Sequence, residues 1–264
     1  METLGYVAAI LVGISLGLIG SGGSILTVPI LVYLMGIKPV NATAYSLFIV
    51  GISSLTGFIF YFKKKLVDFR TGFIFSLPAF LTIFLTRLYL LPSIPNEIFT
   101  IGGFTLTKQI FVMLLFATLM FMASLSMIRN KKEEIIGEKQ KLNIPLITIE
   151  GIIFGVLTGL VGAGGGFLII PALVLLAKLP MKTAVGTSLL IISVNSLIGF
   201  LGDIGARTEI EWNIIILFAV FAIFGILIGT YISKFISGSK LKPAFGWFVL
   251  SMSIYIITKE ILKN

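Results

Sequence analysis

The sequence predicts an all-α integral membrane protein made of two inverted-topology repeats, each of about five hydrophobic segments with short helices broken at glycine. Three observations carry this. Hydrophobic residues make up 57% and charged residues 12% of the 264, against about 45–50% and 25% in soluble domains, and the mean hydropathy is +1.11. A glycine-rich stretch occurs twice at a fixed offset. The bias of lysine and arginine between loops reverses from one half to the other.

The repeated stretch runs from Gly17 to Pro29 and again from Gly159 to Pro171. At the offset that carries Gly13 onto Gly155, about 19 of the 46 positions from Gly13 to Phe58 are identical to those from Gly155 to Phe200, which reads as a duplication. The identities include Gly20/Gly162, Gly22/Gly164, Gly23/Gly165, Pro29/Pro171, Ser46/Ser188 and Ser54/Ser196. Glycine is the residue for a backbone that must turn with positive φ or let another group approach, so each half is expected to hold a tight turn inside apolar sequence.

The first apolar run, about Leu4 to Ile19, is interrupted at Gly20–Gly23 and resumes from Ser24 to about Met35. Both pieces are short for a span of about 20 residues, so a discontinuous or re-entrant pair is expected. Met1-Glu2-Thr3 lacks the basic start of a signal peptide, and the first segment is expected to be retained. The third segment covers about Asn41–Phe62 and ends on Lys63-Lys64-Lys65. The fourth covers Thr71–Leu91 with Pro78 as a kink, and the fifth Gln109–Ile128. The second half answers with Ile144–Val161, Phe167–Ala177, Thr183–Leu201, Trp212–Ile232 and Leu241–Ile257. The expected organisation is a first repeat over 1–128, a charged cytoplasmic linker over 129–143 and a second repeat over 144–264.

Lysine and arginine in short loops mark the cytoplasmic side. Lys63, Lys64, Lys65 and Arg70 place the loop after segment three inside, as Arg129, Lys131, Lys132, Lys139 and Lys141 place the linker, whereas the loop Pro92–Thr107 between them has neither residue until Lys108. In the second half the counterpart of the triple-lysine loop, Gly202–Glu211, carries Asp203, Glu209 and Glu211 against Arg207 and reads as outside; the next loop, with Lys234, Lys240 and Lys242, reads as inside. The halves are therefore expected to be inverted about an axis in the membrane plane, the plan of many secondary transporters. Both termini then lie outside, with Lys259 and Lys263 arguing mildly the other way.

The paired glycine-rich stretches ending in proline, the Asn41-Ala42 and Thr183-Ala184 pairs, the Ser46-Leu47 and Ser188-Leu189 pairs, and the charged linker resemble the TauE/SafE family of sulfite and organosulfonate exporters over essentially the whole chain. The first copy departs from the family's signature at Ser21 and Ser24, where the second has Ala163 and Gly166. The resemblance implies a multi-pass permease of the cell membrane that exports a small sulfur oxyanion.

Physical reasoning also points to an anion. Helix N-termini present free N–H groups and a partial positive charge, so Gly22, Gly23 and Ser24, with Gly164, Gly165 and Gly166, are candidate substrate contacts, two helix starts facing each other across the pseudo-two-fold. Pro29 and Pro171 would shape the short helices behind them. Gly13, Gly17, Gly155 and Gly159 fit close helix packing instead. Ser46, Ser188 and Asn195 are candidate side-chain contacts, the alternative being hydrogen bonds within their own helices. Arg87 is expected to snorkel to the outer interface or, alternatively, to draw anions to the mouth. Glu150 is expected to be solvated near the inner face, the alternative being a coupling proton. Lys178 and Lys182 fit a vestibule or an interface anchor.

With no cysteine and no histidine, thiolate and imidazole chemistry are absent; no metal, cofactor or catalytic residue is expected. The net charge of +9 is a matter of topology here and not of nucleic acid. The expected function is secondary transport of a small anion within the lipid bilayer, with a proton or cation as coupling partner and a homo-oligomer left open. The alternatives are an anion channel, a permease for another small anion or metabolite, and an intramembrane enzyme or assembly factor.

Overall fold

A computed structural model of the chain describes residues 2–20, 23–101, 104–129, 144–162, 166, 169–170, 173, 179–206, 210–233, 235 and 238–262. Among these, helix dominates. The helices α1 (Glu2–Ile19) and α2 (Ser24–Tyr33) are followed by α3 (Pro39–Lys63) and α4 (Phe69–Leu85). A π-helical turn, Thr86–Leu90, and a short α5 (Leu91–Ser93) extend α4. Then come strands β1 (Glu97–Ile101) and β2 (Phe104–Thr107) and the helices α6 (Lys108–Arg129), α7 (Ile144–Val161), α8 (Met181–Ala206), α9 (Trp212–Ile232) and α10 (Gly238–Leu262).

Among the described residues, five stretches are long and apolar enough to cross a membrane: Pro39–Lys63, Phe69–Ser93, Lys108–Leu125, Lys182–Ile204 and Trp212–Ile232. Their outward faces are apolar too. Phe73, Leu77, Leu81 and Leu85 on α4, and Ile216, Val220, Phe224 and Leu227 on α9, are exposed at helical spacing, as suits hydrocarbon. The chain is a multi-pass membrane protein.

Local chemistry sets the helix starts. Pro39 at the first position of α3 supplies a φ suited to a helix and lacks an N–H that would go unbonded there. Asp68 caps α4, its carboxylate accepting from the Thr71 N–H at 3.2 Å and the Thr71 hydroxyl at 3.0 Å. Beyond α5 the chain forms an antiparallel hairpin, with Phe99 opposite Leu106 and Thr100 opposite Thr105. The hairpin is a small addition to an otherwise helical plan.

The expected break between the first two segments is a helical hairpin. Gly20 turns with φ 78° after α1, its N–H bonded to the Leu16 carbonyl at 2.7 Å, and α2 runs back along α1: Gly23 packs on Val12 and Leu16, and Met35 lies against Gly5. The chain therefore enters and leaves this pair at the same end. In the second half Gly162 turns with φ 73° after α7, its N–H bonded to the Thr158 carbonyl at 2.8 Å.

Other contacts repeat between halves. Helix α1 packs along α9, and its counterpart α7 along α4; α3 packs on α8, and α6 on α10. Gly20 sits against Val185 while Gly162 sits against Thr43, and Gly57 meets Leu189 while Gly199 meets Leu47. Each pair maps onto the other at the sequence offset of the repeat. The sites Gly57·Leu189, Gly51·Leu197 and Leu47·Gly199 also show that α3 and α8 run antiparallel.

Glycines of the small-residue pattern pack helices. A Cβ at Gly13 or Gly17 would strike the backbone of Ala222, Gly225, Ile226 and Gly229 on α9, and one at Gly155 or Gly159 would strike Ala79, Thr82 and Thr86. Without a hydrophobic drive between helices in lipid, such backbone approach is what holds them.

Two expectations are corrected. Segment eight does not end at Leu201: α8 continues to Ala206, so Asp203 belongs to a buried helix and not to an outer loop. Nor do the two glycine turns face each other. Gly20 lies beside the early turns of α8 and Gly162 beside the early turns of α3; because these helices are antiparallel, the turns lie at opposite ends of the pair. Linker residues 130–143 and most of the expected seventh segment lie outside the described residues.

Candidate functional site

The centre of the molecule is the crossing of α3 and α8. Its contacts place Ile52 opposite Val194, and within a turn of that point lie Ser53 and Ser54 on α3 and Asn195 and Ser196 on α8. All four are fully buried. The hydroxyls of Ser53, Ser54 and Ser196 and both polar atoms of the Asn195 amide have no hydrogen-bond partner among the described residues. Buried polar groups are nearly always bonded, and leaving one unsatisfied costs about 1–3 kcal/mol. Four such side chains lie at one level of a membrane-spanning pair.

Ser53 and Asn195 occupy equivalent positions of the two repeats, as do Ser54 and Ser196. The cluster is thus two-fold in character, with an amide replacing one hydroxyl. Asn195 was expected as a contact. Helical spacing puts Ser53 on one face with Ser46, as it puts Asn195 with Ser188; that Ser53, Ser54, Asn195 and Ser196 share one level depends on where α3 and α8 cross.

Ser46 and Ser188 are each about two turns from this centre, toward opposite ends. Ser46 is buried and its hydroxyl has no partner among the described residues. Ser188 is also buried but donates to the Val185 carbonyl of its own helix at 2.8 Å, the intrahelical alternative noted for serine. Gly20 lies against it.

At the α3 N-terminal end the site is charged. Arg87, expected to snorkel, is instead fully buried: Nη1 lies 3.2 Å from the Asp203 carboxylate and donates to the Thr43 hydroxyl at 3.0 Å. The Thr43 hydroxyl in turn donates to the Val40 carbonyl at 2.8 Å. The guanidinium also touches the Gly162 turn, where a side chain of any size would collide with it. There it meets the C-terminal end of α7, whose partial negative charge favours a cation. The π-helical turn carries Arg87, and turns of this kind occur often at functional sites. Snorkelling fails because the partner that stabilises a buried cation is already present within the bundle.

At the opposite end the positions equivalent to the ion pair are neutral. Asp203 is matched by Tyr61, and the Arg87 level of the second half by Gly229 and Thr230. The Tyr61 hydroxyl lies 3.4 Å from both the Gly17 carbonyl and the Ser233 hydroxyl. Duplication has thus left one end with an ion pair and the other with a phenol.

Of the remaining candidates, Gly23 precedes α2, Ser24 is its first residue, and Pro29 lies inside it; all are buried. Gly166 is helical and buried. Gly22, Gly164, Gly165, Pro171 and Lys178 lie outside the described residues, as does the side chain of Glu150. Lys182 is exposed at the start of α8.

The sequence model named "Sulfite exporter TauE/SafE" matches residues 6–256. A "Probable membrane transporter protein" of Xylella fastidiosa (strain 9a5c) is 32% identical over 256 residues, covering 95% of this chain and 92% of its own length. The "Probable membrane transporter protein YunE" of Bacillus subtilis (strain 168) is 29% identical over 216 residues, covering 74% and 77%. A further "Probable membrane transporter protein", from Methanocaldococcus jannaschii, is 27% identical over 267 residues, covering 94% of each chain. No solved structure matches.

Proposed function

The chain belongs to the TauE/SafE family, and from that premise we propose that it is a secondary transporter of the cell membrane that moves a small sulfur-containing anion, such as sulfite or an organosulfonate, by alternating access. It exports the anion when the net driving force is directed outward. The observation that carries this reading is the set of buried hydroxyl and amide groups at the α3–α8 crossing with no hydrogen-bond partner among the described residues, with the buried Arg87 toward one end.

In this reading Ser46, Ser53, Ser54, Asn195 and Ser196 replace the water around the oxyanion, and Arg87 supplies the positive charge. The glycine stretches Gly22–Ser24 and Gly164–Gly166 contribute backbone N–H groups at either end of the path, with Pro29 and Pro171 shaping the helices that follow. The halves, 1–128 and 144–264, are inverted across the membrane and joined by the cytoplasmic linker 129–143. Opposite ends of the α3–α8 pair then face opposite sides, and rocking of one half against the other exposes the central cluster alternately. No covalent chemistry is involved.

The test is flux in liposomes containing the purified protein, with sulfite, thiosulfate, taurine, sulfoacetate, sulfate, phosphate and chloride. Saturable uptake of a sulfur anion, accelerated by the same anion trapped inside, is the expected result. Uptake without such acceleration, accompanied by unitary currents, would identify a channel. Silence across the panel would reject the substrate class.

A further inference from the structure

The sequence offers Glu150 as an alternative coupling carboxylate, its expected place being the solvated inner face; the interior offers Asp203. It sits in the penultimate turn of α8, 1% exposed and paired with a fully buried guanidinium. The pair as it stands is neutral. If the substrate anion binds Arg87, as the proposed function requires, the same pocket holds one positive and two negative charges. An uncompensated charge in a low-dielectric interior is strongly unfavourable. One proton on the Asp203 carboxylate restores neutrality and frees the guanidinium edge that the carboxylate holds.

Resting on that transport reading, we propose that Asp203 is the coupling group: the sulfur anion displaces its carboxylate from Arg87, and Asp203 takes up one proton for each anion bound. The proton comes from the side on which the anion enters and leaves with it on the other side, so the carrier is a proton–anion symporter and its direction follows the combined gradients. A monoanion crosses without net charge movement and a dianion with one net negative charge.

Among the described residues, the surroundings leave this role to Asp203. Helix α8 packs on α3, α4 and the π-helical turn. The turn contributes Arg87, while its Tyr89 is exposed. Near this level α3 carries Thr43 and Tyr45, the latter's hydroxyl accepting from the Glu211 N–H at 3.0 Å; its Tyr61 and Lys63 lie at the opposite end. Asp68 and Arg70, at the start of α4, are also at that opposite end. Beyond α8, Glu211 is exposed.

The experiment uses the full chain in liposomes and an organosulfonate whose charge is constant across the pH range. Wild type should accumulate the anion under an imposed inward proton gradient. Asp203→Asn, which imitates the protonated acid, should keep anion exchange but lose accumulation driven by the gradient. Asp203→Glu should keep both with a shifted pH profile. A purely structural pair would lower all activities together and leave the pH profile in place. Proton-driven accumulation by Asp203→Asn would overturn the proposal, as would wild-type exchange indifferent to the proton gradient. Absence of exchange in wild type for every sulfur anion would instead reject the underlying transport reading.

Discussion

Asn195 shows how a residue can be unfavourable for the fold and still belong to it. Its amide is fully buried, with neither polar atom bonded among the described residues. Replacing a buried unsatisfied group by an apolar one of similar size is neutral or stabilising, while losing a hydrogen bond to a charged ligand costs about 1.5–3 kcal/mol. Asn195→Leu should therefore melt at or above the wild-type temperature in detergent, yet raise the KM for the transported anion by about tenfold or more. A large loss of thermal stability with KM unchanged would make Asn195 a structural residue whose partner is a bound water. The residue type and its repeat mate Ser53 are legible in the sequence. Their meeting with Ser54 and Ser196 is not, because it depends on the crossing of two helices more than a hundred residues apart.

Arg87 and Asp203 make the same point for charge. Near a helix end, a lone arginine reads as snorkelling and an aspartate after glycine reads as a loop. Each reading is reasonable for an isolated residue. The ion pair reverses both, and nothing local to either residue announces the other.

Among the elements, legibility follows apolar continuity. Helices α7 and α9 begin and end where their hydropathy does, at Ile144–Val161 and Trp212–Ile232. Helix α8 runs five residues past its apolar stretch because Asp203 is neutralised by a neighbour, and the β1–β2 hairpin is too short to leave a pattern. The glycines of α1 were readable as a packing stripe, and the structure supplies their partner. Gly17→Val would force a side chain into the backbone of Gly229 and Thr230 on α9. Overpacking of this kind costs about 1–3 kcal/mol or more. By contrast, Gly36 has φ 72° but open space around it, so Gly36→Ala carries only the backbone penalty of about 1 kcal/mol. Thermal unfolding in detergent should show a clearly larger drop for Gly17→Val than for Gly36→Ala. Equal drops would mean that α1 and α9 do not rely on this contact.

At the scale of the whole molecule, the account joins three features: a duplicated glycine turn, an antiparallel α3–α8 pair and a polar cluster at their crossing. The matching contacts Gly20·Val185 and Gly162·Thr43 express the two-fold relation, and an inverted pair is the arrangement that lets one site open to either side. The central claim is that the α3–α8 cluster is the anion site and opens alternately. Because the chain has no cysteine, Ser54→Cys places a single thiol there in nearly the same volume. Its labelling by a membrane-impermeant thiol reagent, applied from one side and then the other of oriented vesicles, is the most direct measurement. The account predicts labelling from both sides, slowed by a transported sulfur anion and not by chloride. A thiol that reacts from neither side, or at a rate the anion does not change, would contradict it.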